Sequence, residues 1–203
     1  MSRLGRSVIA ARFSYSRTDS DDSGAVMPED DPWDVPDGTI DVWWRGMTNG
    51  GLMLLLAHLL HQNPQWRRNR IRVLRVVDSS EAESEVRQHI ENLCATARIA
   101  AEPGVVVHHA PELAIQQVSA GAAVVVLGME VPPEGDESAF VNRMEQLAGG
   151  LPRVLFVCSA GGMELESRSC RRQVTASVRR WLPFGFGFET TRSTKQPDKQ
   201  AGG

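Results

Sequence analysis

The sequence is short of the residues that several kinds of chemistry require. Its 203 residues hold only three cysteines, Cys94, Cys158 and Cys170, and these lie far apart. No two have C-x-x-C spacing, so neither a zinc site nor a disulfide framework is signalled. Buried free thiols in a reducing cytosol are expected. Long apolar runs are also missing. The longest, from Gly50 to Leu60, falls well short of the ~20 residues that a membrane-spanning helix needs. The run Val8 to Ala11 is too short for the apolar region of a signal peptide, despite Arg3 and Arg6. Positive charge is not in excess. A formal net charge of -3 excludes a strongly basic nucleic-acid binder on composition. Hydrophobic content of 41% and charge of 23% fit one globular domain with a real core, plus tails.

What is present centres on Gly38-Thr39-Ile40-Asp41-Val42-Trp43-Trp44, the turn Arg45 to Gly51, and the leucine-rich run from Leu52 to Leu60. Ile40, Val42 and the two tryptophans suit a buried strand. Gly46, Gly50 and Gly51 break it. Asn49, or Thr48 beside it, is the expected cap of a helix from Gly51 to His61. That helix is apolar almost all round and needs cover on most sides. Asn63-Pro64 ends it.

The segment before this motif, residues 1–37, reads as disordered. Glu29, Asp30, Asp31, Asp34 and Asp37 alternate with Pro28, Pro32 and Pro36, so little apolar surface offsets the entropy of ordering. Ser7 to Phe13 is a short strand candidate, and Trp33 a candidate anchor. After the motif, strands and helices alternate. Ile71 to Val77 is the next strand, with Arg72 and Arg75 among its apolar positions. Ser80 and Glu83 have capping-box spacing for a helix to about Arg98, whose apolar positions include Val86, Ile90 and Leu93. Pro103-Gly104 leads into a strand from Val105 to His108, followed by a short helix from Glu112 to Ser119. Ala122 to Leu127 reads as a strand buried on both faces. A helix from Glu137 to Leu147 and a strand from Arg153 to Cys158 complete the pattern. The expected fold is therefore α/β: a doubly wound, mostly parallel, five-stranded sheet in a Rossmann- or flavodoxin-like three-layer sandwich. The expected strand order is 3-2-1-4-5, with disordered ends. Residues 167–203 form a separate basic segment. Ser169 to Leu182 is a candidate helix with Arg171, Arg172, Arg179 and Arg180, suited to weak contact with an anionic membrane surface; the plain alternative is a frayed end without a role.

Candidate chemistry is sparse. Gly46, Asn49, Gly50 and Gly51 sit where doubly wound proteins hold phosphates, at a strand's carboxyl end before a helix N-terminus. Their spacing is neither GxGxxG nor a P-loop, and the plain alternative is a turn of tight backbone geometry. A second loop, Gly128-Met129-Glu130 to Gly135, lies where universal-stress-type proteins of similar fold bind ATP. Glu130, Glu134 and Asp136 would repel a triphosphate there. His58 and His61 lack a third metal ligand. His108-His109 lack a nucleophile, and Ser159 lies outside any G-x-S-x-G elbow. No catalytic residue, cofactor or metal site is expected.

From Gly38 to Val77 the motif, with Trp66 and Ile71-Arg72-Val73 behind it, resembles the C-terminal cytosolic domain of the cation–chloride cotransporters. These are sodium-, potassium- and chloride-coupled symporters. The likeness extends more loosely to about Glu166 and is to the second α/β subdomain only, of bacterial type. Met47-Thr48-Asn49 stands where eukaryotic members carry an acidic pair, so any regulatory role of those acids does not carry over. The resemblance implies a non-catalytic regulatory and dimerisation domain at the cytoplasmic face of the plasma membrane. Its implied partners are a transmembrane transporter domain, the first cytosolic subdomain, or a second copy in a homodimer. Ions would be handled by membrane helices, and no residue here is expected to coordinate one. The alternative is a stand-alone nucleotide-binding protein of universal-stress type.

Overall fold

The computed structural model describes residues 6–13 and 35–161. Trp33, most of the acidic stretch and the expected basic helix lie outside them. Six strands form one sheet: β1 (Val8–Phe13), β2 (Thr39–Trp43), β3 (Arg70–Val77), β4 (Ala101–Val107), β5 (Val124–Gly128) and β6 (Arg153–Cys158). Their order is β1-β6-β5-β2-β3-β4. Four α-helices join them: α1 (Met47–Gln62), α2 (Glu83–Ala97), α3 (Pro111–Val118) and α4 (Glu137–Ala148). Strands β2 to β6 are parallel and follow the expected order. The expected count of five is one short. Val8–Phe13 adds a sixth strand, antiparallel to β6, with Val8 opposite Cys158 and Phe13 opposite Arg153.

Alternation along the strands sorts the core into two layers. Ile40, Val42, Trp44, Ile71 and Val73 face α1 and α2, meeting Leu54, Ala57, Ile90 and Leu93. Trp43, Leu74, Val125, Leu127 and Phe156 face α3 and α4, meeting Ile115 and Ala148. The sheet is thus covered on both sides, and its central strands β2 and β5 are apolar apart from Thr39 and Asp41.

Local chemistry shifts several boundaries. Helix α1 starts at Met47, four residues earlier than expected, with Gly46 as its cap and no side chain bonding the first turn. Asn49, Gly50 and Gly51 are therefore helical rather than a turn. The Ser80–Glu83 capping box does not form. Ser80–Ala82 is a single 3-10 turn, and Glu83 instead accepts a 3.0 Å bond from Arg87 one turn on. Strand β4 begins at Ala101, so Pro103 and Gly104 lie inside it. Only an edge strand tolerates that proline. Gly104 leaves room for Leu74, whose Cδ2 would lie 2.5 Å from an added Cβ.

Gly50 has a similar role on α1. A Cβ there would lie 2.0 Å from Cη2 of Trp44. Inside a helix, Gly→Ala ordinarily stabilises by about 0.5–1 kcal/mol. Gly50→Ala is expected to do the reverse, costing about 2 kcal/mol because the indole must move within a packed core. Urea unfolding midpoints of the two proteins give the sign directly.

Candidate functional site

In doubly wound sheets a ligand crevice opens at the carboxyl ends of the strands, where the chain switches faces. Here that point lies between β2 and β5, since α1 leaves β2 toward one face and α4 leaves β5 toward the other. The four glycine-region candidates are all at this place. Gly46 caps α1, and Asn49, Gly50 and Gly51 form its first turn.

The Asn49 side chain is engaged by the protein itself, although no side chain caps the first-turn N–H groups of α1. The Asn49 amide nitrogen donates to the Met129 carbonyl at 2.8 Å. Its carbonyl oxygen accepts the Ser159 backbone N–H, also at 2.8 Å. One side chain on α1 thus joins the ends of β5 and β6. Gly128 lets it close down, because an added Cβ would lie 3.1 Å from the Asn49 amide nitrogen and 3.4 Å from the Met53 sulfur. Gly50 lies against the buried Trp44 ring. The glycine spacing thus answers to an indole and a carboxamide. Just outside, desolvation lowers the pKa of Arg45, and Glu112 and Glu130 pull it back up.

The second loop runs from Gly128 to Asp136, with positive φ at Gly135. The backbone N–H of Gly135 donates to both Glu137 carboxylate oxygens, at 3.1 and 3.0 Å, and holds that exposed carboxyl below its usual pKa. A shallow depression of about 290 Å³ nearby is lined by Glu137, Ser138, Val141 and Asn142, all from one side of α4. It is the surface of a single helix rather than a cleft.

The histidines are spread out. The His61 ring nitrogen Nδ1 is 3.1 Å from the Asn69 carbonyl, and His58 pairs with Gln62 at 3.5 Å. Nδ1 of His108 accepts the Ala110 N–H at 2.9 Å. Among the described residues no three His, Cys, Asp or Glu side chains converge on a metal position. Ser159 Oγ accepts the Gly161 N–H at 3.2 Å.

The strongest polar constellation is one that the motif spacing does not reveal. Asp41, in the middle of β2, is completely buried. Its Oδ1 accepts from Thr39 Oγ1 at 2.7 Å and from Arg72 Nε at 2.8 Å. Its Oδ2 accepts from Arg72 Nη2 at 2.5 Å and from Ser119 Oγ at 2.6 Å. Trp43 Nε1 donates to the same Ser119 oxygen at 2.9 Å, and Arg72 also reaches the Val118 carbonyl at 3.2 Å. The hydrogen bond to Asp41 is the main cause raising the Arg72 pKa, against the opposing effect of burial. The signal in the sequence was a carboxylate between Ile40 and Val42, matched by an arginine in the next strand.

This pair is structural, so removing one member leaves the other stranded. Arg72→Leu is expected to cost about 3 kcal/mol, because it leaves the buried Asp41 carboxyl without its guanidinium partner. Replacing Asp41 and Arg72 together by leucine should cost clearly less than the sum of the two single changes. A double-mutant cycle by urea denaturation measures the difference. Asn49→Ala should cost about 1–3 kcal/mol by stripping the Met129 carbonyl and the Ser159 N–H of their partner.

Among the described residues no helix is long and apolar enough to cross a membrane. The match to known families lies in the first part of this fold. The model of solute carrier family 12 matches residues 33–117, which run from just before β2 into α3. That stretch includes Asp41, Trp43, Trp44, Asn49 and Arg72. It contains the whole segment on which the resemblance to cation–chloride cotransporters rests, Gly38 to Val77. Residues 33–117 thus match solute carrier family 12, a family of transporters, in line with the resemblance of Gly38 to Val77 to a cation–chloride cotransporter-related domain.

Proposed function

We propose that this domain is a non-catalytic docking and regulatory module that acts together with a membrane-spanning transport part. In this reading the partner handles the ions, and the domain packs against it or its first α/β subdomain at the cytoplasmic face. Self-association in a homodimer belongs to the same reading.

The outer surface of α1 is the observation that carries the proposal. This helix is apolar on nearly every side. Leu54 and Ala57 are fully buried against the sheet, whereas Leu55 and Leu59 are 37% and 56% exposed. Leucines one helical turn apart on an open face suit a protein contact better than water. The closed crevice supports the same reading. The Asn49 carboxamide ties the ends of β5 and β6 together at the position where a phosphate-binding protein of this architecture keeps its ligand.

Two measurements test the proposal. The first replaces both exposed leucines, as Leu55→Glu with Leu59→Glu. The full chain is co-expressed with the membrane part of a bacterial cation–chloride cotransporter. Co-purification from detergent-solubilised membranes should weaken by about tenfold or more, with the urea midpoint nearly unchanged. Undiminished association would remove α1 as the docking face. The second is calorimetry of the chain with ATP, ADP and a cyclic dinucleotide. No saturable heat is expected, and stoichiometric binding of any of the three would favour the universal-stress-type alternative.

A further inference from the structure

Arg75 is a cation of the sheet that nothing in the protein answers. It lies on β3, in register with Val105 of β4. It is the first β3 residue beyond the β2 ladder, which stops at Trp43 opposite Leu74. Alternation puts its side chain on the face of Ile71 and Val73, toward α1 and α2. Its neighbours on that face are apolar: Val105, and Trp44, whose N–H bonds the Leu74 carbonyl at 2.7 Å. The residue is half-buried, and among the described residues its guanidinium has no hydrogen bond, ion pair or ring contact. Burial lowers its pKa with no acid to offset the effect. Arg45 is also desolvated, but Glu112 and Glu130 stand near it. Arg72, on the opposite face of the same strand, has Asp41.

Ser79 presents a second unanswered group beyond the same end of β3. Its Oγ is buried and has no hydrogen-bond partner. It precedes the 3-10 turn Ser80–Ala82, where a serine hydroxyl ordinarily accepts a backbone N–H, yet it makes no such bond. A desolvated cation without an acceptor and a buried hydroxyl without a partner each cost free energy. Buried polar groups in folded proteins are almost always met by a partner, water or a bound ion. Both groups stand at the carboxyl end of a parallel strand, the side on which sheets of this architecture take ligands.

We propose that Arg75 and Ser79 form a site for a small monovalent anion of the halide class, held by the guanidinium and the serine hydroxyl. One positive charge matches one negative charge. Asp78, Glu81 and Glu83 adjoin Ser79 in the chain and oppose a multiply charged sulfate or phosphate more strongly than a halide. The apolar flanks favour an anion that sheds water readily, and a guanidinium is itself weakly hydrated. The site is separate from the Asn49 bridge and from the outer face of α1. It goes beyond the docking reading and does not depend on it.

The test is thermal unfolding of the full chain at constant ionic strength, with bromide replacing gluconate. The midpoint should rise saturably, by about 4 °C at ten times the dissociation constant. Arg75→Gln should abolish the rise. The difference between the two proteins is the readout, so general salt effects cancel. In gluconate the Arg75→Gln midpoint should equal or exceed that of the unsubstituted chain, because a desolvated, unpaired charge has been removed. Ser79→Ala should leave the gluconate midpoint unchanged and weaken bromide binding about tenfold. Crystals soaked in bromide should show an anomalous peak beside the Arg75 guanidinium. An equal bromide response in Arg75→Gln, or none in the unsubstituted chain, overturns the site. So does a fall in the gluconate midpoint on Arg75→Gln, which would make the arginine structural. A larger Arg75-dependent response to sulfate overturns the assignment to a monovalent anion. None of these outcomes bears on docking through α1, which the Leu55 and Leu59 variants read separately.

Discussion

The fold depends on a carboxylate placed where water does not reach. Asp41 lies in the strand that occupies the middle of the parallel sheet, and its charge is balanced and its oxygens filled by Arg72, Thr39 and Ser119. An ion pair of this kind is weak evidence for stability, because desolvation offsets most of the attraction. Its clearer effect is on register. Asp41 pairs with Arg72 across β2 and β3. A slip by one residue would turn the carboxylate toward the α1–α2 layer, where Val42 and Val73 now sit, and away from all of its donors. Ser119, at the end of α3, carries the same constraint into the next layer and also receives the Trp43 indole N–H.

The second constraint is the closed switch point. Folds of this architecture are often assigned ligands by analogy, but function resides in the site rather than the fold. Here the site's glycines are explained by what touches them. Gly50 makes way for Trp44, and Gly128 makes way for Asn49 and Met53. A helix whose first turn bonds two strand ends through a carboxamide is well suited to holding layers together. The Ser159 N–H that it holds is not free to donate to a phosphate.

Much of this was legible in the residues. The alternation of strand and helix, the 3-2-1-4-5 order and the buried character of β2 and β5 all follow from periodicity and apolar runs. The likeness to solute carrier family 12 was legible too, from Gly38 to Val77. Most of what escaped was governed by contacts distant in sequence. Asn49 has the chemistry of a helix cap, and only the arrival of β5 and β6 shows that its amide is used elsewhere. Pro103-Gly104 reads as a lead-in to a strand until its edge position is known. The Ser80–Glu83 spacing is correct for a capping box, but Arg87 competes for the glutamate. Ser7 to Phe13 gave only a short strand candidate, because its pairing partner lies at the far end of the domain.

The Asn49 bridge also bears on how the chain is made. Its two acceptor and donor groups are 80 and 110 residues downstream, and the strand that flanks β2 on that side, β5, lies beyond the segment matched by solute carrier family 12. During synthesis the Asp41–Arg72 side of β2 can assemble early, whereas its other side must wait for most of the domain to leave the ribosome. Pairing across so wide a separation is slow. Until β5 and β6 arrive, the leucine-rich helix α1 is covered only on the β2–β3 side.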